Sequence, residues 1–125
     1  MSTIWPVLAG FAASTVWAAE GSADFGFGSL AGGANVMCFT TGRGSAFGCK
    51  PTPSVKLATN SQVYASMIDD MDINCGDILD GVAVAQKGEE IFRKVLATAS
   101  GARTKSEDLG YGDLEFVPWQ IGAVM

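Results

Sequence analysis

Polar side chains suited to binding an anion follow a short apolar segment of this chain. Val36 to Phe39 are four consecutive apolar residues, a pattern typical of a strand buried on both faces of a parallel sheet. Directly after them come hydroxyls, glycines and one guanidinium, in the order Thr40, Thr41, Gly42, Arg43, Gly44 and Ser45. Open α/β sheets bind ligands at the carboxyl ends of their strands, so we expect an anion-binding site in this loop.

Arg43 has the most specific chemistry of the loop. A guanidinium between two glycines can bind a carboxylate through two hydrogen bonds, while the neighbouring hydroxyls bind sugar hydroxyls. The alternative is a structural arginine that bridges loop carbonyls. Lys50 and Lys56 could add positive charge, although the alternation over 54–59 predicts that Lys56 points away from the buried face of its strand. The spacing of Gly42, Gly44 and Gly48 matches neither a dinucleotide fingerprint nor a P-loop.

The acidic segment 69–80 is the second candidate site. Asp70, Asp72 and Asn74 occupy the first three ligand positions of a calcium loop, but the required glycine falls one place late and Gly81 replaces the bidentate glutamate. An ordinary EF-hand is therefore excluded. Two interpretations stay open, a metal site at Asp70 and Asp72, or capping and turn residues on a solvated rim.

Strand and helix patterns surround these residues. Ser54 to Thr59 alternates as a strand with one buried face, and Asn60 is a suitable N-cap for a helix from Ser61 to about Ile68. Gly88 to Ser100 has an apolar face and two i,i+4 ion pairs, Glu89 with Arg93 and Glu90 with Lys94. The segment 102–125 shows no helical period. We predict a single α/β domain with a short, mainly parallel, Rossmann-like sheet, flanking helices and an irregular C-terminal tail.

Composition and charge exclude several classes of partner. Thirteen acidic against eight basic residues give a net charge of -5, which predicts no binding to nucleic acid or to an anionic membrane. Three cysteines match no zinc spacing and leave one unpaired in any disulfide scheme, which favours a reducing, cytoplasmic location. Because histidine is absent, acid–base chemistry would fall to Asp, Glu, Lys, Tyr or Cys.

The first part of the chain has a different character. Ile4 to Ala19 is an apolar run interrupted by Pro6, too short for a membrane span. A signal peptide cleaved after Ala18 is the alternative, although a basic n-region is missing, and it would make the protein an exported one. We therefore divide the chain into a leader with a glycine-rich linker, 1–31, and a domain, 32–125.

Several long motifs carry a family resemblance. Residues 32–48 (GGANVMCFTTGRGSAFG), 53–61 (PSVKLATNS) and 71–76 (MDINCG) follow one another in order, and 97–107 and 115–122 continue the series. This series closely resembles the carboxyl-terminal part of the altronate/galactarate dehydratase family. Motifs in register over 32–125 are more specific than any single glycine pattern.

The resemblance implies a hydro-lyase that removes water across C2 and C3 of a hexonate or hexarate, with altronate the better guess. It implies a divalent metal, iron(II), manganese or magnesium, and a 2-keto-3-deoxy acid as product. Arg43 then fits the substrate carboxylate, and Lys56 is the candidate catalytic base or electrostatic stabiliser. Asp70 and Asp72 become candidate metal ligands or nearby acids. The remaining substrate-binding candidates are Thr40, Thr41, Gly42, Gly44, Ser45 and Asn60.

The resemblance implies that members of this family are longer, with an amino-terminal SAF-like domain and a middle domain before the matched region. We therefore expect a piece of a dehydratase that is partial or inactive alone. Its expected partners are a sugar acid and either further copies of itself or the rest of the enzyme. The alternative is a non-catalytic subunit that binds a small carboxylate or serves assembly.

Overall fold

Three parallel strands form the centre of the domain. The computed structural model describes residue 30 and residues 33–113. Strands β1 (Met37–Thr41), β2 (Ser54–Ala58) and β3 (Ile73–Asn74) lie in the order β1-β2-β3. Met37–Thr41 pairs in register with Ser54–Ala58, and Leu57 and Ala58 pair with Ile73 and Asn74. The predicted single α/β domain with a short parallel sheet is confirmed.

Three helices and one 3₁₀ turn complete the described part. They are α1 (Ser61–Ser66), the 3₁₀ turn (Gly76–Ile78), α2 (Val84–Ala99) and α3 (Lys105–Asp108). The predicted N-cap of α1 is confirmed, because the Asn60 side chain accepts a hydrogen bond from the Val63 N–H at 2.8 Å. Helix α3 corrects the prediction of an irregular segment from 102 onward: Thr104 and Glu107 form a capping box that starts this short helix.

The two longer strands differ from their predicted environments. All five residues of β2 are buried, so the predicted single buried face is wrong. Strand β2 is central in the sheet and both of its faces are covered, which overrides the alternation. Strand β1 lies at the edge instead. Of the predicted strand 36–39, Val36 and Met37 are buried whereas Cys38 and Phe39 are half-buried, so burial on both faces holds for its first two residues.

The core divides into two clusters. Val55, Leu57 and Ile73 are buried together, with Cys38, Cys75 and Ile91 packed against them. Met37, Phe47 and Cys49 form the second cluster, against which Leu30 packs. In the parallel register Phe39 is the partner of Lys56, and the Phe39 and Phe47 rings stack with centroids 5.5 Å apart. The loop after β1 is therefore fixed to the sheet by aromatic packing.

Helix α2 covers the sheet only in part. It begins at Val84, earlier than the predicted Gly88. Ile91 packs on the core, whereas Leu96, on the predicted apolar face, is 50% exposed. The ion pair of Glu89 with Arg93 is confirmed at 2.7 Å. The other predicted pair is wrong, because Glu90 pairs with Lys87 at 2.6 Å and Lys94 with Asp72 at 3.3 Å.

Several predictions concern residues beyond the described part. The leader of 1–31 lies outside the described residues except for Leu30, and so does the tail from 114 to 125. Over residue 30 and residues 33–113, no helix has the length and apolar character needed to cross a bilayer.

Candidate functional site

The carboxyl ends of the three strands meet at one edge of the sheet, where Thr41, Ala58 and Asn74 lie side by side. The chain on either side of this edge is joined by hydrogen bonds. The Asn60 side-chain amide donates to the Gly42 carbonyl at 3.0 Å, and the Thr59 N–H donates to the Thr41 carbonyl at 3.0 Å. We call this region the sheet edge, meaning the end of the sheet at which the strands terminate. It comprises 40–45, 59–60 and Gly76, with Lys56 beneath it. The predicted Arg43 loop and Asn60 are brought together there.

A tight turn presents Arg43 at the sheet edge. The Thr41 hydroxyl accepts hydrogen bonds from the Arg43 N–H at 3.4 Å and from the Gly44 N–H at 3.1 Å. Gly44 has φ +92°, a conformation that favours glycine. A Cβ at Gly44 would also lie only 2.0 Å from the Met67 sulfur. The positive φ therefore favours glycine at this position, and the flexible Met67 side chain would have to move to admit a larger residue.

The Arg43 side chain is exposed. All eight lysines and arginines of the sequence lie in the described range, and seven of them hold a carboxylate or a carbonyl. These seven are Lys50, Lys56, Lys87, Arg93, Lys94, Arg103 and Lys105. Among the described residues, none forms a hydrogen bond or ion pair with the Arg43 guanidinium. The alternative of an arginine that bridges loop carbonyls is therefore not what this part of the structure contains.

Lys56 lies beneath the Arg43 loop, with its side chain 0% exposed. Its ammonium donates to the Ser45 carbonyl at 3.2 Å and lies 3.6 Å from Asp70 Oδ1. Burial lowers the pKa of Lys56, and the negative charges of Asp70 and Asp72 oppose this only in part. The prediction that Lys56 points away from a buried face into solvent is wrong, because β2 has no solvated face.

Asp72 is used by the fold on both of its oxygens. Its side chain is 0% exposed, and Oδ2 accepts from the Lys56 N–H at 2.9 Å. Oδ1 accepts from the Lys105 N–H at 3.2 Å and lies 3.3 Å from the Lys94 ammonium. This carboxylate joins β2, α2 and the start of α3. These surroundings fit neither of the two roles predicted for Asp72, a metal ligand or a residue on a solvated rim.

Asp70 lies next to the same buried ammonium. Its Oδ1 is buried and, in the described part of the chain, accepts no hydrogen bond, with Lys56 as its ion-pair partner. A second cation would have to compete with that ammonium. No group of three or more His, Cys, Asp or Glu able to hold a metal occurs within residue 30 and residues 33–113. The surroundings of Asp70 and Asp72 therefore do not fit a divalent metal.

The other predicted substrate contacts also have roles in the loop itself. The Ser45 hydroxyl accepts from the Phe47 N–H at 3.1 Å, and the Asn60 amide is used by both its oxygen and its nitrogen. Thr40 is exposed at the end of β1. The Thr41 and Ser45 hydroxyls each retain a proton to donate.

Sequence reasoning missed the segment that holds the exit of the loop. The Lys50 N–H donates to the Gly112 carbonyl at 3.3 Å, and the Lys50 ammonium pairs with Asp113. A Cβ at Gly112 would lie 2.7 Å from the Lys50 nitrogen, so the two backbones are in close contact. Contacts between residues so far apart leave no local pattern that could have predicted them.

The fold and the sheet edge define a class, a parallel α/β domain that presents an arginine without a described partner beside the carboxyl ends of its strands. A sequence model described as "D-galactarate/Altronate dehydratase, C-terminal" matches residues 14–124. The chain therefore belongs to the D-galactarate/altronate dehydratase C-terminal family, as its motifs predicted.

Two curated relatives are dehydratases of Escherichia coli strain K12. Galactarate dehydratase (L-threo-forming) is 35% identical over 96 residues, 74% of this chain and 18% of the relative. Altronate dehydratase is 34% identical over 87 residues, 69% of this chain and 17% of the relative. The (2R)-sulfolactate sulfo-lyase subunit beta of Chromohalobacter salexigens is 28% identical over 74 residues, 58% of this chain and 19% of the relative. The chain thus spans less than a fifth of the length of each.

Proposed function

We propose that this chain is the part of a sugar-acid dehydratase that binds the substrate carboxylate, with Arg43 as the residue that holds it. The substrate is a hexonate or hexarate such as altronate, which the complete enzyme converts to a 2-keto-3-deoxy acid and water. One observation carries the proposal: Arg43 is exposed at the carboxyl edge of a parallel sheet, and within the described part of the chain nothing occupies its guanidinium. Membership of the dehydratase family supplies the substrate class.

The names of the relatives support a carboxylate as the bound group. Sulfolactate differs from the six-carbon acids galactarate and altronate in length and in the group that is lost, but all three have a carboxylate next to a hydroxyl-bearing carbon. A guanidinium binds that shared group through two parallel hydrogen bonds. In this proposal the hydroxyls of Thr40, Thr41 and Ser45 contact the adjacent hydroxyl.

The reaction needs more than the sheet edge provides. A C2 proton must be removed and the C3 hydroxyl protonated as it leaves. Holding the carboxylate at Arg43 stabilises negative charge that develops next to C2. The divalent metal stays a prediction, and its ligands would come from outside Asp70 and Asp72, for example from the further length that the relatives possess. Pairing with such a region is part of the proposal.

Calorimetric titration of the chain with galactarate and with altronate tests the binding role. We expect Arg43→Ala to weaken both affinities by roughly 10- to 100-fold, because a hydrogen bond between charged groups contributes about 1.5–3 kcal/mol. Arg93→Ala is the matched control, since Arg93 is an exposed arginine already paired with Glu89. It should leave the affinities unchanged. Equal loss in both variants, or none in Arg43→Ala, would refute the proposal.

An activity measurement separates the dehydratase from the alternative of a non-catalytic carboxylate-binding or assembly subunit. The chain is incubated with altronate or galactarate and iron(II), manganese or magnesium, and 2-keto acid is assayed. Product that depends on Arg43 would show catalysis by the chain itself. Binding without product would leave the carboxylate-binding role and require the rest of the enzyme for the reaction.

We also propose a cytoplasmic location. Cys38 and Cys75 are free thiols, and burial raises the pKa of both, which keeps them protonated. Free thiols are typical of a reducing compartment. Mass spectrometry of the amino terminus from the native host tests this, because cleavage after Ala18 would instead show export.

A further inference from the structure

Lys56 has the surroundings of a residue that holds the binding loop. Its side chain has no exposed surface, and its ammonium reaches the Ser45 carbonyl at 3.2 Å. Ser45 lies two residues after Arg43, on the far side of the turn that Thr41 closes. The loop is therefore bound to the sheet from two directions, by the Thr41 hydroxyl at its entry and by Lys56 from below.

A catalytic base would need to meet the substrate. The Lys56 ammonium is covered by the loop it binds, and its nearest anion, Asp70, is 3.6 Å away. That distance exceeds a normal hydrogen bond, so the carbonyl of Ser45 is the closer partner. A buried cation that donates a hydrogen bond to a loop carbonyl fixes the position of that loop.

We propose that Lys56 is a positioning residue, which sets the Arg43–Ser45 turn for carboxylate binding, rather than a catalytic residue. This inference rests on the proposed function of Arg43. A loop held from beneath keeps the guanidinium in one place before the ligand arrives, which reduces the entropy lost on binding. Displacing a binding group by about 1 Å can cost up to about 100-fold in function.

The variant Lys56→Met tests the proposal, because methionine keeps much of the apolar side-chain volume and loses the ammonium. The affinity for galactarate is measured by calorimetric titration at a temperature at which circular dichroism shows the variant to be folded. We expect it to weaken by about tenfold or more. Lys87→Met is the matched control. Lys87 is also a buried lysine, 4% exposed, but neither of its partners, Asp77 and Glu90, belongs to the 40–45 loop.

The control separates positioning from stability. A merely structural role would lower the melting temperature in both variants and leave the affinity of the folded chain unchanged in both. Loss of affinity confined to Lys56→Met supports the proposal. Equal affinity in Lys56→Met and the unmodified chain overturns it. If Arg43→Ala has no effect either, the proposed function itself has failed, and the two failures are thereby distinguished.

A measurement on the unmodified chain covers the case in which Lys56→Met does not fold. Nuclear magnetic resonance can detect a scalar coupling across a hydrogen bond between the Lys56 ammonium nitrogen and the Ser45 carbonyl carbon. We expect this coupling to persist when galactarate is added, while the amide signals of 43–45 shift. A rapidly exchanging ammonium without coupling, or a direct nuclear Overhauser effect between Lys56 and galactarate, would overturn the positioning role.

Discussion

The sheet edge and the region around helix α2 each contain a buried lysine, but the two ammonium groups have different partners. In the α2 region Lys87 donates to Asp77 at 2.7 Å and to Glu90 at 2.6 Å. At the sheet edge Lys56 has a carbonyl at 3.2 Å and one carboxylate at 3.6 Å. Both side chains are almost fully removed from water. The difference lies in how many anions they contact directly.

The two pKa values move in opposite directions as a result. Burial lowers the pKa of Lys56, and the charges of Asp70 and Asp72 do not fully restore it. Burial acts in the same direction on Lys87, but the hydrogen bonds and charges of Asp77 and Glu90 outweigh it and raise its pKa. Burial alone therefore does not decide whether a lysine stabilises the fold. In the α2 region the Lys87 ammonium stabilises the fold through two carboxylates, whereas at the sheet edge the Lys56 ammonium binds a loop carbonyl.

The regions differ equally in how closely their backbones approach. A Cβ at Gly76 would lie 2.2 Å from the Ser61 nitrogen and 2.5 Å from the Asn60 carbonyl carbon. Gly88, inside α2, has no atom within 4 Å of the corresponding position. At the sheet edge these backbone segments are in close contact, and the Asn60 amide donates from there to the carbonyl of Gly42, next to Arg43. The exposed side of α2 carries no such constraint.

The largest expected effect is that of Gly76→Ala. The added methyl group meets backbone on both sides of the Asn60 cap, so relief requires movement of the chain rather than of a side chain. We expect the free energy of unfolding to fall by about 3 kcal/mol, measured by urea denaturation. Since the displaced backbone carries the cap and the contact to Gly42, galactarate binding should weaken as well. A fully stable Gly76→Ala variant would contradict the close packing of this edge.

Lys87→Met is expected to have an intermediate effect of about 2 kcal/mol at pH 7, through loss of charged hydrogen bonds to Asp77 and Glu90. Because the folded pKa of Lys87 is raised, its stabilisation is fully present below the unfolded pKa of about 10.4 and is lost as pH rises through the folded value. The difference between variant and unmodified chain should therefore shrink above that pH. Urea denaturation at pH 7, 9 and 11 measures it. A constant difference across this range would show that the ammonium charge is not responsible.

The smallest expected effect has the opposite sign. Gly88→Ala should stabilise the chain by about 0.5–1 kcal/mol, because alanine loses less backbone entropy than glycine inside a helix and the site is open. This variant is also the matched control for Gly76→Ala, since both replace a glycine by the same residue. Thermal denaturation of the pair provides the comparison. Equal destabilisation in the two would mean that the contrast between the regions is absent in solution.

Local sequence patterns determined the fold class of this protein and where some of its helices begin or end. The apolar run before Thr40 and the alternation of 54–59 predicted the two longer strands, and the period of α2 predicted its helix, which together indicated an α/β domain. The Asn60 cap was predictable because a single side chain can satisfy an unpaired N–H at the start of a helix. The motifs of 32–125 were enough for the family, because they are long and in register. These features depend on neighbours within a few residues.

Tertiary structure alone decided what surrounds each charge. The alternation of β2 predicts a solvated Lys56, yet the loop after β1 lies over that side chain and its Ser45 carbonyl accepts from the Lys56 ammonium. Asp72 accepts from Lys56 and Lys105, 16 and 33 residues away along the chain, and no local spacing announces such contacts. Burial and pairing depend on which distant segments come together. The pKa of a lysine, the surroundings of an aspartate and the exposure of the Arg43 guanidinium, which has no partner within residues 33–113, are therefore set only in the folded chain.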